Sequence, residues 1–350
     1  MILTVLIACL AFTTPREVAF SRLLPAAPAL AASIWPVIPT ALLGAFCLMI
    51  MVGLNLVYAD LGTPYTAAAI VAVTAAAVYS SHVRIQREEA LVQIRLVADT
   101  AQKVLLRPLP RSIGGVEIES LYLAAQAQAR IGGDFYEAAD TPYGVRLLIG
   151  DVRGKGLSAV GAASAVVSTF REAAYDEPDL RGIIHRLETS TVRHSAAFPA
   201  QDLPERFATA LLAEIPHGAG RVSLLNCGHP PPLLMRHGKI RALEPSAPSP
   251  PLNLAALLGG HYSIESVAFA PGDQLLLYTD GVTETRDRTG AFFPLPDWMQ
   301  RQGPQPPREL LDRLHRDLLR HSSGKLNDDI SALAVRCPNT SAAEEAGHSA

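Results

Sequence analysis

The chain has little cysteine, little aromatic content and no excess of charge. Its four cysteines, Cys9, Cys47, Cys227 and Cys337, show neither metal-ligand spacing nor a pairing pattern. They read as buried or membrane-facing thiols in a reducing compartment. Lys and Arg number 30 against 33 Asp and Glu, a formal net charge of -3, and aromatics make up 6% of residues. No basic stripe interleaved with aromatics is present, which argues against nucleic acid as a partner. A P-loop is also missing. Only three residues separate Gly150 from Gly154, and Gly156 stands where Ser or Thr would meet Mg²⁺. A dinucleotide fingerprint fails too, because the acidic residue expected downstream is Glu172, inside a predicted helix.

What the chain has in quantity is apolar surface: 49% hydrophobic residues and a mean hydropathy of +0.20, concentrated in the first eighty of its 350 residues. The runs 38–58 and 64–80 predict a transmembrane hairpin. Residues 2–12 form a third apolar run, read as a further span, the remnant of a signal sequence, or the product of a start codon placed too far downstream. Arg16 and Arg22 precede the hairpin and Arg84 and Arg87 follow it, while its turn carries only Asp60. The positive-inside rule then makes this a multi-pass protein of the cell membrane with its C-terminal part in the cytoplasm. That turn is too short to be an extracellular sensor.

Residues 82–107 read as a helical linker, free of Gly and Pro up to Leu106, with Leu91, Ile94, Ala98, Ala101 and Leu105 spaced three and four apart. Two readings stand: an amphipathic helix docked on its own domain, or a parallel homodimer stalk. A globular domain follows over 112–337, and a small, polar tail over 338–350 is expected to be disordered. Strands predominate in the globular part, with predicted helices at 157–174, 180–194 and 307–320. His237-Gly238-Lys239 and Pro271-Gly272-Asp273 are predicted hairpin turns. The fold class is α+β, as a layered sandwich rather than a doubly wound parallel sheet.

The chemistry is organised around Gly150-Asp151-Val152-Arg153-Gly154-Lys155-Gly156, between an apolar run and an Ala-rich one. That pattern is a strand that stops, turns tightly and opens a helix, aiming Asp151 into a cleft. Asp134 in Gly132-Gly133-Asp134, Asp280 in Thr279-Asp280-Gly281, and Asp328 in Asn327-Asp328-Asp329 share its setting near strand ends. Oxygen-only ligands select Mg²⁺ or Mn²⁺, and two such ions would cancel the repulsion of converging carboxylates. A pair of ions can also lower the pKa of a water between them and present it to phosphorus.

With these four motifs in this order, the sequence resembles the PPM-type metal-dependent protein serine/threonine phosphatases, in the SpoIIE-like (stage II sporulation protein E) branch. The resemblance implies a four-layer α/β/β/α sandwich and a cofactor of two Mn²⁺ or Mg²⁺ ions. Asp151 would bridge both ions, the Val152 carbonyl would ligate one, Asp134 would serve the second, and Asp280 and Asp328 would complete the first. Asp329 would orient neighbouring backbone instead. Arg130 lies near where the wider family clamps phosphate. Arg153 stands where other members carry a histidine proposed as general acid, and a guanidinium cannot give up its proton at neutral pH. Asn226-Cys227-Gly228-His229-Pro230 matches a turn of this branch, with His229 read as structural. The implied substrate is a phosphorylated anti-sigma-factor antagonist, so that dephosphorylation regulates a sigma factor. Two alternatives remain open: a catalytically inactive membrane-bound module that binds phosphoproteins, and hydrolysis of a small phosphoester.

Overall fold

The computed structural model describes residues 23–57, 63–125, 132–198, 207–218, 220–259 and 261–338. The expected span over 2–12, the turn of the hairpin, Arg130 and almost all of the expected tail lie outside the described residues. Contacts divide the chain into two units, Met1–Gln93 and Ile94–Ala350.

In the first unit, α1 (Ala26–Ala31), α2 (Val37–Val57) and the start of α3 (Thr63–Leu105) enclose a small apolar cluster of Leu24, Ala27, Leu43, Cys47, Met51 and Ile70. Arg84 on α3 donates to the Trp35 carbonyl at 2.9 Å, tying the helix to the loop after α1. Among the described residues one helical stretch, Pro64–Ile94, is long and apolar enough to cross a membrane, by length and composition alone. The apolar part of α2, Val37–Gly53, is shorter. The multi-pass topology expected from two apolar runs is therefore not supported. The run that falls short is the first, whose apolar stretch in α2 ends at Gly53, while the second passes the length test as part of the long helix α3.

The second unit is built on two antiparallel sheets. Strands β1 (Ser112–Ile113), β2 (Val116–Leu123), β7 (Leu233–Arg236), β8 (Lys239–Ala242), β10 (Gln274–Tyr278) and β11 (Ile330–Arg336) form one, in the order β1-β2-β11-β10-β7-β8. Strands β3 (Phe135–Thr141), β4 (Gly144–Val152), β5 (Ala208–Ile215), β6 (Arg221–Cys227) and β9 (Ile264–Ala268) form the other, in the order β3-β4-β5-β6-β9. Successive side chains of a strand point to opposite faces, and here both faces of each sheet are covered. On β4, Leu147 and Ile149 enter the core between the sheets while Leu148 faces the helices outside. On β10, Leu275 and Leu277 face inward while Leu276 faces out. This two-sided burial explains why these strands read as unbroken apolar runs.

Helices α4 (Leu157–Asp176) and α5 (Leu180–Ala197) cover the five-stranded sheet. Asp179 caps α5 by accepting from the amides of Arg181 and Gly182 at 2.9 Å each. After the short turn α6 (Ala255–Leu258) and the single turn α7 (Asp280–Thr283), helices α8 (Leu295–Gln302) and α9 (Pro307–His321) cover the six-stranded sheet. The result is the α/β/β/α sandwich.

One expected hairpin is corrected. Pro271-Gly272-Asp273 is a turn, but it joins strands of different sheets, since β9 pairs with β6 and β10 pairs with β7 and β11. The crossing is fixed by Asp273, which accepts from the Ala270 amide at 2.8 Å and pairs with Arg236 of β7. The other hairpin forms as expected: Arg236 and Lys239 pair, and His237 and Gly238 take the positive φ values, 48° and 72°, that a two-residue turn demands.

The seam read along the linker is divided between two environments. Leu91 and Ile94 are exposed, whereas Leu105 is buried in the cluster under α4 and α5. Arg171 of α4 holds this end of α3, donating to the Leu105 carbonyl and pairing with Glu137 of β3.

Candidate active site

One end of the sandwich opens into a cleft of about 290 Å³. Asp151 enters it from the end of β4, Asp280 from the first residue of α7 directly after β10, and Asp328 from the loop entering β11. Three separate motifs thus arrive at one cavity because the strands carrying them end on the same side. Asp134 lies deeper, 3% exposed, just before β3. It accepts a 2.8 Å hydrogen bond from the Thr279 hydroxyl, which in turn accepts the Ser331 amide at 2.9 Å.

Close backbone approach shapes the floor. A Cβ at Gly133 would overlap the Val152 carbonyl oxygen, and one at Gly281 would overlap the Asp329 carbonyl. The Val152 amide donates to the Gly133 carbonyl at 3.2 Å, so these two segments are knit together beside the cleft. Asp329 does not enter the cleft. Its carboxylate accepts from the Ala125 and Gly132 amides at 2.7 Å each and from the Tyr122 hydroxyl at 3.0 Å. It ties Ala125 to Gly132, the described residues on either side of 126–131.

Electrostatics follow from this crowding. Burial, then the facing charges of Asp280, Asp328 and Asp329, push the Asp151 carboxyl up to about 7, against the opposing pull of Lys155. Burial and the nearby Asp151 and Asp329 carboxylates raise Asp134 well above the ordinary carboxylate range, with the Thr279 hydrogen bond acting the other way. Burial raises Asp280, helped by Glu284 and Asp328. Lys155 sits 2.8 Å from Asp328. Its single charge faces three carboxylates that line the cleft.

Such a donor set suits hard divalent cations: it is all oxygen, it repels itself, and glycines bring backbone carbonyls alongside it. Among the described residues no group of three or more His, Cys, Asp or Glu side chains is placed close enough to hold a metal ion by itself. The fit to a hard cation rests on the chemistry of the donors that line the cleft, Asp151, Asp280 and Asp328, with the Val152 carbonyl beside Gly133.

Comparison with known proteins gives the family. A family model described as stage II sporulation protein E (SpoIIE) matches residues 141–338, more than half of the chain. The chain belongs to the SpoIIE family. The match covers the segments with Asp151, Asp280 and Asp328 and begins just after Asp134. Among relatives, the SpoIIE-family chain is 24% identical over 267 residues to Protein IcfG of Synechocystis sp., covering 69% of this chain and 41% of that protein. It is 28% identical over 174 residues to the phosphoserine phosphatase RsbP of Bacillus subtilis, covering 48% of this chain and 40% of RsbP. The chain thus spans about two fifths of the length of either relative. Among solved structures it is similar to the SiaA-PP2C domain of Pseudomonas aeruginosa, at 16% identity and a TM-score of 0.55, over 73% of this chain and 98% of that one. It is also similar to the RsbU and RsbW domains of Rv1364c from Mycobacterium tuberculosis, at 25% identity and a TM-score of 0.52, over 64% and 62% of the two chains. The fold is therefore that of the PP2C-type phosphatases.

Several contributors to this site carry no signal of their own in the sequence. Thr279 and Lys155 stand inside motifs, but their partners lie 145 and 173 residues away. Phe207 and Thr209 also line the cleft, from the start of β5. His229 is buried, its backbone held by Asn226 at 2.8 Å and its Nδ1 3.1 Å from the Thr209 hydroxyl. Burial pushes its imidazole down to about 3, so it stays neutral. The histidine is part of the scaffold beneath the cleft.

Proposed function

We propose that this SpoIIE-family chain is a metal-dependent protein serine/threonine phosphatase that hydrolyses phosphoserine or phosphothreonine. The observation that carries the reading is Asp151, an aspartate raised to about 7 at the mouth of a cleft by burial and three other carboxylates. Such a group asks for cations as neighbours. Asp134, Asp151, Asp280, Asp328 and the Val152 carbonyl would hold two Mn²⁺ or Mg²⁺ ions. Bound there, the ions would neutralise phosphate oxygens and lower the pKa of a water.

The chain's own groups do the rest. Thr279 orients Asp134, and Asp329 holds the backbone of Ala125 and Gly132 through their two amides. Lys155 neutralises part of the Asp328 charge. In the net reaction one water oxygen joins phosphorus and the bond to the serine or threonine oxygen breaks. That oxygen takes its proton from water, because Arg153 has none to give at neutral pH. Arg130 is proposed to contact the phosphate.

Phosphoserine as substrate is supported by the description of the RsbP relative as a phosphoserine phosphatase. The family resemblance supports a phosphorylated anti-sigma-factor antagonist as the physiological substrate. The hydropathy of Pro64–Ile94 supports attachment to the cell membrane, and the flanking arginines Arg16, Arg22, Arg84 and Arg87 support a cytoplasmic catalytic unit by the positive-inside rule. The domain division proposed is a membrane region to residue 81, a linker over 82–107, and a phosphatase domain over 112–337.

The test is substrate profiling of the purified chain with Mn²⁺: a phosphoserine peptide, an aryl phosphate and a phosphodiester. Turnover of the peptide with the highest kcat/KM is expected. Preference for the diester, or metal-dependent binding of the phosphopeptide without turnover, would replace this reading with a small-molecule esterase or a binding module.

A further inference from the structure

We propose that Arg153 is a substrate-binding residue that reads the phosphoryl group, held for that task on the face of Phe207. The proposal rests on the phosphatase reading above and adds a specificity determinant to it. β4 and β5 pair in register up to Val152 opposite Ala208, and the next pair in that register is Arg153 opposite Phe207. The ladder continues one bond further, from the Arg153 amide to the Phe207 carbonyl at 2.9 Å. Directly opposed residues of an antiparallel pair present their side chains to the same face. Here the guanidinium carbon lies 5.1 Å from the Phe207 ring centroid, and both residues line the cleft that Asp151 enters.

The consequence is a difference between the two cations that line the cleft among the described residues. Lys155 is engaged with Asp328 at 2.8 Å. Arg153 is exposed and makes no ion pair among the described residues; its neighbour is an aromatic face. Stacking occupies the face of a guanidinium and leaves its N–H edge free, in the plane where it can meet two oxygens of one anion. A phosphoryl group has oxygens spaced for that fork, and the other described cation lining the cleft, Lys155, is already paired with Asp328. This geometry suits Arg153 to anion binding, and a guanidinium gives up no proton at neutral pH.

The experiment uses the full chain loaded with Mn²⁺, as wild type, Arg153→Ala, Arg153→Lys and Phe207→Leu. KM and kcat are measured for a phosphoserine peptide, the inhibition constant for inorganic phosphate, and phosphate affinity by calorimetry without turnover. Arg153→Ala is expected to raise KM and weaken phosphate binding together by about ten- to a hundredfold, with a smaller change in kcat. Arg153→Lys should recover only part of the loss, since a point charge lacks the fork, and Phe207→Leu should fall between. Mn²⁺ affinity and melting temperature should match wild type in all three, which separates anion binding from damage to the fold. Unchanged phosphate affinity in Arg153→Ala would overturn the proposal, as would a KM effect confined to peptides with acidic flanks. A wild type that binds phosphate through Arg153 yet never turns over would instead sink the phosphatase reading and leave this one standing.

Discussion

Asp151 is held at the C-terminal end of β4 against burial and against Asp280, Asp328 and Asp329, and its carboxyl rises from 3.8 to about 7. Between those two values the folded chain keeps a proton that the unfolded chain has released. Stability contributed by this group is therefore lost as pH rises from about 4 to about 7. In chelator, wild type is expected to lose melting temperature relative to Asp151→Asn between pH 5 and pH 8, and Mn²⁺ should restore it at pH 8. A difference that grows in favour of wild type with rising pH would contradict the crowding described here. Thr279 makes a second test at this scale. Thr279→Val removes the 2.8 Å bond to Asp134 at nearly constant volume and should cost about 10–100-fold in Mn²⁺ affinity, read by calorimetry.

Among the elements, β4 is fixed by more than its apolar residues. Arg146 is fully buried on it, paired with Glu214 of β5 and donating to the carbonyls of Ala174, Glu177 and Pro178, where α4 ends and α5 begins. Arg146→Ala would strand Glu214 and three carbonyls, so about 3–5 kcal/mol of stability should be lost, measured by urea unfolding. A loss under 1 kcal/mol would show that the strand does not depend on this hub. The strands that the sequence displayed best are those buried on both faces, such as β10 with Leu275-Leu276-Leu277. β3 was harder to read because, as an edge strand, it pairs only with β4 and carries Ala138, Ala139 and Asp140 in place of an apolar run. α8 was hidden by Pro294 and Pro296 at its start. The aspartates were legible one by one as Asp beside glycine near a strand end. Their convergence was not, because contacts such as Thr279 with Asp134 span 145 residues.

At the scale of the whole molecule, α3 runs unbroken past the boundary between the two units, from Thr63 to Leu105. Its last turn belongs to the core under α4 and α5. Leu91→Pro would break the helix two residues before that boundary, at a local cost of about 3 kcal/mol or more. The solution mass or the phosphate-release rate of the whole chain is expected to change, while Mn²⁺ affinity stays at the wild-type value. An unchanged mass and an unchanged rate would show that the helix transmits nothing to the site. The measurement that tests the central claim most directly is phosphate release from a phosphoserine peptide by the whole chain. It is made with Mn²⁺ and with chelator, for wild type, Asp151→Asn and Asp280→Asn. Release that requires metal and vanishes in both variants is the predicted result; release that persists in chelator or in Asp151→Asn would contradict it.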